Sequence, residues 1–226
     1  YYTGNNAGVP TVFQTWWYKT ISALGCDLLV NNSWSGRCVS NKRDSESGMI
    51  ASGAWRQSEI DKLKSGTTLP DIIIVKLGIN DFNNLVAEGT YTPTQSLPIV
   101  PETGPTTFRE AYATMLDRLM TTYPNAKIYC CTLNQCERSG STGFPEINGN
   151  GDAISEFNDA IVELATAFGA EIINHGVCGM TYYYLSTYTG DYSSATGQGL
   201  HPNAAGMSLL ANTTISAVYS ASDVRY

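Results

Sequence analysis

One short run in this chain, DIIIVKLG (71–78), strings β-branched residues together without polar alternation, and AKIYCCTL (126–133) reads as the next strand. A run like the first is a strand covered on both faces. Stretches of helical period separate the two from the neighbouring strand-like runs, and strands that pair in parallel are the ones that need such crossovers. No other feature restricts the fold as much. The expected class is α/β, a parallel sheet with helices against its faces.

The remaining segments extend this pattern. Residues 11–24 place Val12, Trp16, Ile21 and Leu24 at helical spacing, with Gly25 as the stop. CDLLVNN (26–32) reads as a short buried strand and residues 53–65 as a helix. A Pro- and Thr-containing loop over 83–106 leads to a helix opened by a capping box, Thr107 to Glu110, and closed before Pro124. A further helix over 152–168 carries Ile154, Phe157, Ile161, Leu164 and Phe168 in one stripe, with Asp152 as its cap. AEIINH (170–175) is another strand, and the last helix begins near Pro202–Asn203. Neither repeats nor a linker divide the 226 residues, so one domain over 1–226 is expected. The series opens on a helix, whereas a doubly wound sheet opens on a strand. The expectation is that the leading, central strand is supplied by an upstream segment, lost by processing or carried by another chain.

Composition excludes several function classes. Hydrophobic residues make up 42% of the chain and charged ones 15%, the balance of a globular protein. A net charge of -7 without a Lys/Arg cluster argues against a nucleic-acid partner. The longest apolar stretches are strand-sized, so no membrane span is expected. Few Lys and Arg beside many Asn, Thr, Ser and Tyr lean towards an extracellular protein. The six cysteines form no CxxC, and neither histidine lies at ligand spacing from one, so no zinc site is expected. Cys130 and Cys131 read as buried, inert thiols, while a Cys136–Cys178 pair is left open.

In open parallel sheets ligands bind at the carboxyl ends of the strands. Three loops belong to that edge: NNSWSG (31–36), GINDF (78–82) and GLHPN (199–203). Gly36 lets a backbone N–H approach a ligand, Asn80 carries an amide donor, and His201 is a general base. Taken singly these are a turn glycine, an Asx-type turn and a structural histidine. Their joint placement at one edge makes them a candidate oxyanion hole and base. His175, ending a strand beside Gly176, reads as structural. Trp34 and the tyrosines of TYYYLSTYTGDY (181–192), Tyr184 among them, are candidate substrate contacts for a sugar, with an ordinary packed loop as the alternative.

NNSWSGRCVS, LGINDF and GLHPNAAG resemble the second, third and fifth motif blocks of the SGNH (GDSL-type) hydrolases, in family order and across nearly the whole chain. The resemblance implies a flavodoxin-like three-layer α/β/α sandwich that needs no metal or other cofactor. It implies a small-molecule or carbohydrate ester as substrate, cleaved through a serine. Gly36 and Asn80 would then be oxyanion donors together with the nucleophile's own N–H, and His201 the base. The family's first block, Gly-Asp-Ser at the end of the leading strand, does not occur here. The nucleophile is therefore expected on the same upstream segment as that strand, with Ser33 and Ser35 as rivals inside the chain. Gln198 occupies the acid position of the family's Asp-x-x-His pattern. Its side-chain oxygen or a backbone carbonyl can accept from the ring without adding charge, and Asp191 and Asp223 are other candidates that spacing does not separate. The expectation is a Ser–His dyad in a serine esterase acting on short acyl groups such as acetyl on a carbohydrate. The rival is a non-catalytic carbohydrate-binding relative that has lost nucleophile and acid.

Overall fold

Along the chain the elements run α1 (Trp16–Leu24), α2 (Gln57–Ile60), β1 (Ile72–Val75), α3 (Ile79–Asn83), α4 (Phe108–Thr122), β2 (Lys127–Cys131), α5 (Ile154–Ala167), β3 (Glu171–Ile173), α6 (Leu185–Tyr188) and α7 (Ala204–Ser222). They are those of a computed structural model that describes residues 8–41, 53–94, 96–98, 104–137, 143–195 and 198–222. The strands form one sheet in the order β1-β2-β3, with β1 and β2 parallel and in register from Ile72 opposite Lys127 to Val75 opposite Cys130. This is the α/β class expected from the alternation of strand and helix, a parallel sheet flanked by helices.

Two compact units are distinguishable. One comprises residues 29–133 and 148–172, the other residues 1–28, 134–147 and 173–226. In the first, the apolar stripes of α4 and α5 meet around an aromatic cluster. Phe108 stacks at 4.8 Å on Phe157 and 5.3 Å from Tyr112, and Phe157 meets Phe82 of α3 edge-on at 5.5 Å. All four rings are fully buried, each worth about 1.5–3 kcal/mol of transfer free energy. Phe82 thereby fixes α3, and with it the neighbouring residues Asn80 and Asp81. In the second unit α1 packs on α7, and Met180, Leu185 and Leu210 form a core with Cys178. His175 is fully buried there, as a structural histidine should be. Thr214 donates its hydroxyl hydrogen to Leu210 O, so it accepts from His175 Nε2–H at 2.9 Å, and Trp16 meets the imidazole edge-on.

Several local expectations are corrected. CDLLVNN is not a strand: residues 26–32 find no strand partner among the described residues, and Leu28 is exposed. β1 is not covered on both faces, since Ile73 and Val75 are buried while Ile72 is exposed, as befits the end position in the strand order. The helix expected over 53–65 shrinks to α2 followed by a 3-10 turn, Asp61–Leu63. GINDF is helical rather than loop, with Gly78 at the N-cap of α3. The Thr107 hydroxyl donates to the Glu110 carboxylate instead of capping a backbone N–H. Asp152 is not the cap of α5; that position is Ala153, whose N–H donates to the Glu156 carboxylate. Cys136 and Cys178 are buried thiols, not a disulfide, and burial pushes the Cys130 and Cys131 thiols up to about 11 and about 12. Among the described residues no helix is long and apolar enough to cross a membrane.

Candidate active site

The candidate residues fall into two groups, one in each unit, and each group is organised by its own local chemistry. In the unit of residues 29–133 and 148–172, the chain after Asn32 turns sharply. Arg37 N–H reaches Trp34 O at 3.5 Å, and Gly36 sits at φ +74°. Among the described residues no atom would crowd a side chain at Gly36, so the backbone angle is what favours glycine there. The turn leaves Gly36 exposed.

The segment after this turn is held from α3. Asn80 Nδ2 donates to Arg37 O at 3.0 Å, which uses one of its two hydrogens and fixes the plane of the amide. Asp81 is fully buried and accepts from Val39 N at 2.8 Å, Ser40 N at 3.0 Å and Ser40 Oγ at 2.7 Å. Burial outweighs these donors and raises its pKa to about 6. Two adjacent residues of one short helix thus clamp both sides of residues 37–40. Asp81→Ala would leave three buried donors without an acceptor, at a cost on the order of 3 kcal/mol or more. A lowered urea midpoint at unchanged m-value is the expected reading. The pH dependence has a definite sign. With a folded pKa above the ordinary 3.8, Asp81's contribution is complete at lower pH and is lost as pH rises through about 6. Wild type should therefore lose stability relative to Asp81→Asn between about pH 4 and 6; a parallel pair of stability curves would refute the assignment.

Trp34 is 63% exposed, with the Arg37 guanidinium 5.5 Å from its ring centroid, and Arg37 is paired in turn with Glu59 at 2.8 Å. Ser33 and Ser35 are exposed on the same turn, with Ser33 N–H donating to Asn31 Oδ1.

In the unit of residues 1–28, 134–147 and 173–226, His201 is not without an acid. Its Nδ1 lies 2.6 Å from Asp191 Oδ2. The other carboxylate oxygen accepts from His201 N at 2.9 Å and Leu200 N at 3.0 Å. The chain doubles back to achieve this. Thr189 bridges Pro202 and Ser193 bridges Gln198, both antiparallel and in one register that sets Asp191 opposite Leu200. Gly190 N–H closes on His201 O at 2.9 Å within the same ribbon. Asn203 then starts α7, its Oδ1 accepting from Ala205 N and Gly206 N, while its Nδ2 ties back to Thr187 O. Gly206 has no room for a side chain, because a Cβ would run into the Tyr188 carbonyl oxygen.

The ring-orienting group is therefore a carboxylate, which corrects the expected dyad. Gln198 does not accept from the imidazole; its Nε2 donates to Asp191 Oδ2 at 3.3 Å, so it stands behind the acid rather than in its place. Asp223 lies outside the described residues. Burial pulls the Asp191 pKa upward. The His201 N–H and the imidazole outweigh it, with Leu200 N–H in support, and hold the carboxyl below the usual range. His201 Nε2 has no partner among the described residues, and the side chain is 55% exposed. A carboxylate fixing Nδ1 while Nε2 faces outward is the arrangement of a general base ready to take a proton. The sequence signal for Asp191 was the Ser- and Gly-rich stretch SSATG between it and Gln198, which marks a turn-back.

The model of the GDSL-like lipase/acylhydrolase family matches residues 1–152. The chain belongs to this family. No curated protein matches. Among solved structures, a protein described as a GDSL-like lipase from Bacteroides ovatus is 24% identical over 95% of this chain and 83% of its own, with a TM-score of 0.65. A GDSL-like lipase from Bacteroides uniformis is 24% identical over 95% of this chain and 80% of its own, with a TM-score of 0.64. A carbohydrate acetylesterase from Sinorhizobium meliloti is 16% identical over 94% and 86%, with a TM-score of 0.58. At these identities the likenesses establish that the GDSL-like chain shares the fold of those proteins. Within the matched residues lie Gly36 and Asn80; the Asp191–His201 pair lies beyond them.

Proposed function

We propose that this GDSL-like chain serves a serine esterase that hydrolyses short acyl esters, acetyl groups on carbohydrate among them. The Asp191–His201 contact at 2.6 Å carries the reading, because an ionised carboxylate on Nδ1 gives the imidazole the tautomer that accepts at Nε2. His201 Nε2 takes the hydroxyl proton of the nucleophilic serine. The serine oxygen bonds to the acyl carbon, and the carbonyl electron pair moves onto its oxygen. Gly36 N–H and the second hydrogen of Asn80 Nδ2 stabilise that oxyanion. Collapse breaks the bond to the alcohol, which leaves with the proton from His201, and water repeats the sequence to release the acid. In this scheme Trp34 and Tyr184 are substrate contacts, an assignment supported by the exposure of both rings, at 63% and 59%.

The carbohydrate part of the proposal leans on the aromatic surface and on the acetylesterase of the same fold. The test is to treat the folded, full-length protein with a fluorophosphonate probe and to follow p-nitrophenyl acetate hydrolysis. One labelled serine and loss of both signals in His201→Ala are expected. Absence of label and of turnover in the wild type would overturn the esterase and leave the non-catalytic carbohydrate-binding relative.

A further inference from the structure

The Asp191–His201 ribbon has a neighbour that the chemistry above does not use. Glu137 N–H donates to Gly199 O at 3.1 Å and Gly199 N–H to Glu137 O at 2.8 Å, so Glu137 is bridged to the chain two residues before His201. The Glu137 residue is only 9% exposed, yet among the described residues its carboxylate accepts just one hydrogen bond, a long one from Tyr182 OH at 3.5 Å. A carboxylate so nearly buried ordinarily has a cation or several good donors. The one described donor, Tyr182, belongs to a group of aromatic rings.

Tyr182 is fixed from behind, its backbone N–H donating to Gln135 Oε1 at 2.8 Å. Phe144 lies 6.0 Å from it at 44°, and Tyr183 lies 5.9 Å from it at 81°. Phe144 is 58% exposed and Tyr183 83% exposed. Apolar side chains scattered singly over a surface need no explanation, but three adjoining rings bordered by a carboxylate do. The tilts matter. Rings set at 44° and 81° to a central one make an open, stepped surface instead of a closed cage around one point, which suits a flat ligand more than a compact cation. An acyl chain would use the rings and leave the carboxylate without donors.

We propose that Phe144, Tyr182 and Tyr183 stack a pyranose ring whose hydroxyls donate to the Glu137 carboxylate. This rests on the esterase reading for its purpose, since the strip would hold the sugar of a carbohydrate ester beside His201. It stands without that reading as a binding site. The sugar's C–H face covers apolar ring surface, and its hydroxyls supply Glu137 with donors beyond Tyr182.

Titration calorimetry of the full-length protein with cellotetraose and with xylotetraose, neither of which carries an ester, tests the strip apart from catalysis. Binding of at least one is expected. Phe144→Ala and Tyr183→Ala should each weaken it about fivefold, the scale of one aromatic contact. Glu137→Gln should weaken it by a similar factor, as a neutral acceptor replaces a charged one. Val177→Ser, which alters a residue 76% exposed elsewhere on the surface, should bind as wild type does. No heat with either sugar, or unchanged binding in all three strip variants, overturns the proposal. Its failure in a protein that still hydrolyses p-nitrophenyl acetate leaves the esterase standing. Sugar binding in a protein without turnover does the reverse.

Discussion

Asp191→Asn should lower kcat for p-nitrophenyl acetate by about 10,000-fold with little change in KM. The substitution keeps size and shape and removes the charge 2.6 Å from His201 Nδ1. If the new amide turns its nitrogen towards the ring, Leu200 N–H and His201 N–H keep their acceptor, but Nδ1 must accept and Nε2 carries the hydrogen, so the base cannot take a proton. If it turns its oxygen there, the tautomer survives, but the amide hydrogens face those two backbone donors and the imidazolium that forms on attack loses its counter-charge. Both outcomes act on the transition state, and the effect therefore falls on kcat. Gln198→Ala provides the contrast. Its amide reaches Asp191 at 3.3 Å from the far side, and the two backbone donors remain, so a change of only a few-fold is expected. Steady-state kinetics on the three proteins decides the matter. An Asp191→Asn enzyme that keeps a tenth of the activity would mean that the imidazole works without this acid.

Asn80→Ala should lower kcat by about 100- to 1,000-fold, the usual result of deleting one oxyanion donor. Asn80 sits in the first turn of α3, between Gly78 at the N-cap and the buried Phe82. The bond from its Nδ2 to Arg37 O holds the amide still, so the remaining hydrogen points in one direction. The same variant also frees the 37–40 segment, and loss of the turn must be separated from loss of the donor. Asn80→Asp makes that separation. It keeps the volume but sets a carboxylate against the Arg37 carbonyl and offers no hydrogen to an oxyanion, so it should be at least as inactive. Asp81→Asn, which disturbs the same segment while leaving the Asn80 donor in place, should retain far more kcat than either. Equal losses in all three would assign the effect to the turn.

The parts of this fold that could be read from the sequence are those in which local pattern and tertiary burial agree. α4 and α5 formed where Phe108, Tyr112, Phe157 and Ile161 recur at helical spacing, because those positions are also the core. β2 formed over Lys127–Cys131 for the same reason, covered on nearly its whole length. CDLLVNN failed because a strand is defined by its partner, and apolar residues cannot announce whether one is present. GINDF was taken for a loop because Asn and Asp favour turns. Here Asp81 is instead committed to the 39–40 backbone, which no propensity records. Of the candidate site, Gly36, Asn80 and His201 stood out as residue types at the ends of strand-like runs. Asp191 did not, since ten residues of separation say nothing about proximity until the pairing of Ser193 with Gln198 folds the chain back. Glu137 was invisible altogether: its interest comes from being buried with a single long donor among the described residues, a property of the surroundings.

Asp191 and His201 lie on opposite arms of one antiparallel ribbon, and this changes what holds the pair in place. Regular pairing alone would keep them apart, because the register sets Asp191 opposite Leu200 and Gly190 opposite His201, and neighbouring residues of an arm leave opposite faces. The contact is made between the two bridges, where Asp191 departs from strand pairing and turns onto the Leu200 and His201 N–H groups. Residues added at the tip beyond Ser193 and Gln198 would leave that knot intact, whereas one residue inserted between the bridges, in either arm, would untie it.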